Sequence, residues 1–183
     1  MNLQALAEQP FELLLELERR ARAAIAARDG APAAADEWVG IGFRLGAERF
    51  VTSRAEVREV LPVPEQVTRV PGAKPWLRGI ANLRGQLLTV VDLKSFLGAG
   101  GSGSERQARV LIVASRDVPT GLIVDEVLGF RRFPESEFTG DAPPTVVRCD
   151  RFLAGAFRRG PEQWPVLSLR ATLESSSFSE AAA

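Results

Sequence analysis

Residues 76–93 read Trp76-Leu77-Arg78-Gly79-Ile80-Ala81-Asn82-Leu83-Arg84-Gly85-Gln86-Leu87-Leu88-Thr89-Val90-Val91-Asp92-Leu93. Two apolar segments, Leu77–Leu83 and Gln86–Val91, face each other across Arg84-Gly85, where the glycine allows the positive φ of a tight turn. Asp92 stands where its side chain can cap a short helix ending near Leu97. The same plan returns downstream. Trp76, Leu77, Gly79, Val90, Val91, Leu93 and Leu97 map onto Phe152, Leu153, Gly155, Val166, Leu167, Leu169 and Leu173 at a constant offset of 76. Upstream, Val57, Val60, Pro64 and Glu65 map onto Val127, Phe130, Pro134 and Glu135 at an offset of 70. The six-residue drift between the two offsets falls in irregular sequence and reads as an insertion. A repeat of strand, glycine turn, strand and exit helix implies two lobes of similar build.

Outward from the repeat, the period stays that of strands. Val39, Ile41, Phe43 and Leu45 alternate with Gly40, Gly42, Arg44 and Gly46, the pattern of a half-buried strand, and Glu48–Thr52 returns after the Gly46-Ala47 turn. Arg54–Leu61 fits either a helix or a strand. Further apolar segments are Arg109–Ala114, Gly121–Phe130, Thr145–Arg148, Phe152–Phe157 and Trp164–Leu169, with a last short helix over Ser168–Leu173. Many short strands punctuated by glycine and proline predict a mainly β protein of small barrels or a sandwich. Residues 1–37 differ. Leu3, Leu6, Leu13, Leu14, Leu17, Ala21, Ala24 and Ile25 form a helical stripe that opens near Pro10 and stops at Asp29-Gly30, before an alanine-rich linker. The predicted organisation is a helix and linker over 1–37, a β domain over 38–174 and a frayed tail over 175–183.

Composition narrows the chemistry. The 183 residues carry 23 Lys plus Arg against 23 Asp plus Glu, and a balance of zero argues against nucleic acid or an anionic membrane as the main partner. There is no histidine, which removes imidazole acid–base catalysis, Ser–His and Cys–His nucleophiles and His-ligated metals. The single cysteine, Cys149, leaves no internal disulfide or CxxC metal clip and fits a reducing compartment. The apolar runs fall short of the roughly 18–20 residues that span a bilayer, and no signal peptide is read. Gly98–Gly103 satisfies G-x-G-x-x-G, yet it follows a predicted helix and precedes a strand, the reverse of a phosphate cradle. Asp125 and Glu126 end an apolar strand as in phosphoreceiver domains, but the alternating helices such a site needs are missing. They read as loop or edge carboxylates. Arg131, Arg132, Arg158 and Arg159 read as solvated loop arginines.

Arg84 carries the most information. It sits at the turn between two apolar strands, and Glu59, within Val57-Arg58-Glu59-Val60, is its expected partner in a partly buried ion pair.

The stretch Gln66-Val67-Thr68-Arg69-Val70-Pro71, then Leu77–Gly85, then Val90-Val91-Asp92-Leu93, resembles the CheW family of chemotaxis coupling proteins. Gly121-Leu122-Ile123-Val124-Asp125-Glu126-Val127 continues the likeness, which covers about Trp38 to Leu173. The run Phe11-Glu12-Leu13-Leu14-Leu15-Glu16-Leu17-Glu18 resembles the PilI-like subgroup of type IV pilus (twitching) systems. The resemblance implies two SH3-like five-stranded β-barrel lobes packed over a shared core, with no catalysis and no cofactor. It implies an adaptor that bridges membrane chemoreceptors to a CheA-type histidine kinase, cytoplasmic and recruited to receptor arrays, without entering the membrane. The family's charged pair matches Glu59 and Arg84. Val57, Glu59 and Val60 are expected to bind the kinase regulatory domain. Gly79, Asn82, Arg84, Ile123 and Val124 are expected to face or shape a groove for the receptor's cytoplasmic tip. Trp76 departs from the family, which carries a smaller residue there. Two competing readings are a regulatory barrel cut from a larger chemotaxis kinase and a small β-fold hydrolase or sugar-binding protein.

Overall fold

The computed structural model describes residues 37–101, 106–114 and 119–181. The helical stripe and linker expected before Glu37 lie outside the described residues. The strands are β1 (Glu37–Leu45), β2 (Glu48–Ser53), β3 (Val57–Pro62), β4 (Leu77–Leu83), β5 (Gln86–Asp92), β6 (Arg109–Val113), β7 (Thr120–Val124), β8 (Glu126–Pro134), β9 (Phe138–Thr139), β10 (Leu153–Arg159) and β11 (Glu162–Leu167). Short helices are α1 (Leu93–Phe96), α2 (Leu169–Leu173) and α3 (Ser176–Ser179). The strands form two sheets. The central lobe has the order β3-β6-β7-β5-β4 and the terminal lobe the order β8-β1-β2-β11-β10-β9.

Strand for strand, the two orders are one plan: β3, β6, β7, β5 and β4 take the places of β8, β1, β2, β11 and β10. The offset of 76 is carried by the hairpins. β4 is bulged between Leu77 and Gly79, and β10 between Leu153 and Gly155. The Asp92 amide donates to the Trp76 carbonyl at 2.9 Å, and the Ser168 amide to the Phe152 carbonyl at 2.9 Å. Asp92 caps α1 by accepting from the Ser95 amide, as Ser168 caps α2 by accepting from the Ala171 amide. The offset of 70 holds for β3 and β8, where register slips between Val57 and Glu59 and, correspondingly, between Val127 and Gly129. The second copy's insertion contains a 3-10 turn, Glu135–Glu137, and β9.

Three apolar layers result. Ala81, Leu88, Val90, Val110, Ile112 and Ile123 fill the central lobe. Val51, Phe133, Phe157, Trp164 and Val166 fill the terminal lobe. A larger layer between the sheets takes Phe43, Phe50, Leu93, Leu111, Val113, Leu122, Val124, Leu167 and Leu169. β6 and β7 are therefore apolar on both faces, Val110 and Ile112 pointing into one layer and Leu111 and Val113 into the other.

The chain passes between lobes twice, and a carboxylate ties each crossing to an exit helix. At the first, Glu56 accepts from the Leu169 amide at 2.8 Å and from Ser168 Oγ at 3.0 Å. At the second, Asp125 accepts from the Gly46 amide and from Lys94 Nζ at 3.5 Å. Asp125 lies in the link between β7 and β8, as expected, and is buried there. It also divides the expected segment Gly121–Phe130 into β7 and β8, which belong to different sheets. Thr145–Arg148 is not extended: the Val146 and Val147 amides donate to the Glu48 carboxylate at 2.9 and 3.1 Å, which folds the segment into a turn. The tail expected to fray holds α3, whose Phe178 packs on Trp76.

Gly79 has φ 139°, and a Cβ there would collide with the Thr68 carbonyl, which is bonded to the Ile80 amide. Gly46 has φ 62° with open space around it. Gly79→Ala is expected to lower unfolding free energy by about 2–3 kcal/mol, and Gly46→Ala by about 1 kcal/mol, read by urea denaturation.

Candidate functional site

The β4–β5 hairpin turns through Arg84 at φ 51° and Gly85 at φ 82°, both in the left-handed region that a two-residue hairpin of type I′ requires. Asn82 Oδ1 accepts from the Gly85 amide at 2.9 Å and fixes the turn. This carries Arg84 across to β3. Its Nη2 reaches Glu59 Oε1 at 2.8 Å, and its Nη1 reaches Oε2 at 3.4 Å, a two-pronged pairing. β3 and β4 are the two edges of the central sheet, so the pair spans the seam between them.

The expected pairing is present, partly buried at its Glu59 end and open to solvent at Arg84. Arg84 is 73% exposed and Glu59 30%. Such a bridge contributes about 0–1 kcal/mol to stability, and its effect is to hold an arginine in one place on the surface.

Beside the bridge lie two adjoining clefts with Leu83 and Leu88 in their common wall. One, of about 160 Å³, is lined by Arg58, Glu59, Arg84, Leu87 and Ile112. The other, of about 440 Å³, runs along Leu61, Pro62, Val63 and Pro64 to Val110. Leu87, 67% exposed, gives the ion pair an apolar neighbour, whereas Val60, 36% exposed, pairs with Leu111 and so lies on the other face of β3 from Glu59. Sequence reading missed Leu87. Its signal is an outward position in a strand whose inward positions are Leu88 and Val90.

The structure brings Glu59, Asn82 and Arg84 together, although the first was expected on the kinase side and the other two on the receptor side; Val60, on the same edge strand, faces the other way. It removes four others from contact. Val57 is 2% exposed and lies in the layer between the sheets. Ile123 and Val124 are buried on opposite faces of β7, and Gly79 is buried where Thr68 crosses β4. All four are buried in the sheet.

The terminal lobe closes the equivalent opening. Trp164, in the place of Leu88, is buried beneath the Arg131 guanidinium, which stands 5.3 Å from its ring. Arg159 lies over Phe133 and donates to Glu137 at 3.3 Å while staying 52% exposed, so it remains solvated, and Arg131 is half-buried against Trp164.

A model of the CheW-like domain family matches residues 39–177. The chain belongs to that family. It is 41% identical over 175 residues to the protein PilI of Pseudomonas aeruginosa, covering 96% of this chain and 97% of that one. It is 33% identical to the chemotaxis protein CheW of Bacillus subtilis over 60% of this chain and 69% of the relative. Among solved structures, the scaffolding protein TtCheW of Thermoanaerobacter tengcongensis superposes with a TM-score of 0.65 at 27% identity, over 76% of this chain and 94% of that one. The two-sheet CheW-like fold is thus shared with a protein described as a scaffold.

Within this CheW-like domain, the described residues contain no group of three His, Cys, Asp or Glu able to hold a metal ion. No helix among them is long and apolar enough to cross a membrane. Burial pushes the Cys149 thiol from its ordinary 9.0 up to about 11, with the Thr145 hydroxyl partly opposing the shift. The folded state therefore favours the neutral thiol. Its stabilising effect is complete below pH 9 and is lost as pH rises toward 11. Unfolding midpoints are expected to fall across that window and to flatten in Cys149→Ala. Val57→Asp is expected to cost more than about 3 kcal/mol, whereas Val60→Asp and Arg84→Ala each cost about 1 kcal/mol or less. Thermal melts of the three variants check this.

Proposed function

We propose that this chain is a non-catalytic adaptor that couples membrane chemoreceptors to a CheA-type histidine kinase in a twitching-motility pathway. It works in the cytoplasm at receptor arrays, and residues 38–174 form its working body. The observation that carries the reading is the Glu59–Arg84 bridge across the open seam of the central lobe, with the exposed Leu87 beside it and Val60 exposed on the same edge strand. A fixed guanidinium beside exposed apolar side chains is the composition of a protein-binding hot spot. A shallow cleft with an open rim suits a partner's surface better than it encloses a small substrate. The fold's likeness to a scaffolding protein and the identity to PilI support the same reading.

The surface around the bridge is assigned to a barrel of the kinase regulatory domain. Glu59 and Val60 contact it directly, and Asn82 and Arg84 belong to the same contact rather than to a separate receptor site. The receptor's helical tip takes a different face. Neither partner requires nucleic acid or entry into the bilayer.

Size-exclusion chromatography with a purified CheA-type regulatory domain tests this. The wild-type chain co-elutes with it. Val60→Asp and Leu87→Asp remain folded and weaken the complex by at least about tenfold, the loss of one hot-spot contact. Unchanged co-elution of both variants overturns the assignment.

A further inference from the structure

The segment after α2 covers an aromatic notch that plays no part in the surface described above. α2 itself is firmly fixed: Ser168 caps it, the Glu56 carboxylate accepts from the Leu169 amide, and Leu169 and Thr172 are fully buried. α3 has no side-chain cap and no buried residue. It is held chiefly by one ring. Phe178 stacks on Trp76 at 5.4 Å and meets Phe96 edge-on at 5.6 Å. The Ala181 carbonyl accepts from the Lys74 amide at 2.9 Å, and Ser177 Oγ takes an exposed bond from Arg151 at 3.4 Å. Trp76 and Phe96 contact each other at 5.1 Å, and Phe96 reaches Phe152 at 6.1 Å, so the notch floor joins the layer between the sheets. Phe178 lies beyond the residues that the family model matches.

We propose that residues 175–181 are a displaceable strap, and that the Trp76–Phe96 notch beneath it is a docking site for a short helical segment of a partner protein bearing an aromatic side chain. The present occupant defines the ligand. One helical turn sets a phenyl ring against Trp76 and Phe96, and a trailing carbonyl meets the Lys74 amide. A segment held by ring contacts and so few polar bonds opens locally far more readily than α2. Opening bares the two rings to water, and an incoming aromatic ring restores the contact where a charged side chain does not. The proposal does not rest on the kinase surface, with which it shares no residue.

Amide exchange on the full wild-type chain tests how firmly the strap is held. The Phe178, Ser179 and Glu180 amides exchange at least about 100-fold faster than those of Thr172 and Glu174. The Lys74 amide, whose acceptor is the Ala181 carbonyl, follows the strap, while the Asp92 amide, held by the Trp76 carbonyl, does not. Full-length Phe178→Ala leaves the α2 contacts in place and empties the notch. Adding a peptide of residues 174–181 to it gives a saturable fluorescence change with a midpoint at or below about 1 mM, the effective concentration of a tethered segment. The wild-type chain titrates at least about twofold more weakly, because its own strap competes, and the peptide carrying Phe178→Ala gives no change. The response disappears when Trp76→Leu is added, which assigns it to Trp76 rather than to Trp38 or Trp164. Strap amides as slow as that of Thr172 would overturn the proposal, as would absence of saturable peptide binding. So would a concentration-dependent dimer that Phe178→Ala abolishes, since the segment would then seat in a second copy.

Discussion

The apolar layer between the two sheets is the constraint on which the rest of the structure depends. It is filled from both sheets and from the start of both exit helices, with Phe43, Phe50, Leu111 and Leu122 meeting Leu93 and Leu169. A sheet packed on both faces needs apolar residues on both, which is why β6 and β7 read Val-Leu-Ile-Val and Leu-Ile-Val without alternation. With both faces committed to packing, a partner can reach only edges, hairpin tips and side chains at the seams. Glu59, Val60, Arg84 and Leu87 lie at those places.

The duplicated plan is finished differently in each half. In the terminal lobe Trp38, Phe133, Phe157 and Trp164 stack into the opening, with Phe133 and Phe157 parallel at 4.6 Å, and β9 adds a strand beside β10. In the central lobe the corresponding position is Leu88, a smaller side chain, and an exposed ion pair spans the gap. One half is thereby filled from within, and the other keeps a surface that a second protein can complete.

Features fixed by local chemistry were legible in the sequence. The hairpin at Arg84-Gly85 and the Asp92 cap act within a few residues, so spacing alone reveals them, whereas Ser168, read as the first residue of the last helix, proves to be its cap. The repeat was legible because the same local plan occurs twice. What depends on register between distant strands was not. Val57 and Val60 were assigned to one surface, and the slip between Val57 and Glu59 does set both on the face of Val113 and Leu111, but Val57 is buried there while Val60 is exposed. Ile123 and Val124 resemble an exposed family strand until both neighbouring layers are known. Thr145–Arg148 has strand composition, and only the distant Glu48 carboxylate turns it into a loop. Glu59 and Arg84 were paired correctly from sequence, but their exposure follows from their place on the outer side of a seam.

The terminal lobe is divided in the chain, with β1 and β2 before the central lobe and β8 to β11 after it. The central lobe is one uninterrupted stretch from Val57 to Val124. Its contacts close modest loops, whereas the parallel contact of Val51 with Val166 must wait for most of the chain to be in place. Loop-closure entropy and contact order both favour early folding of the continuous half, leaving the interrupted half to assemble around it as a template. On the ribosome, β1 and β2 emerge before the central lobe, yet beyond their own hairpin they have no strand to join until β8 has been synthesised.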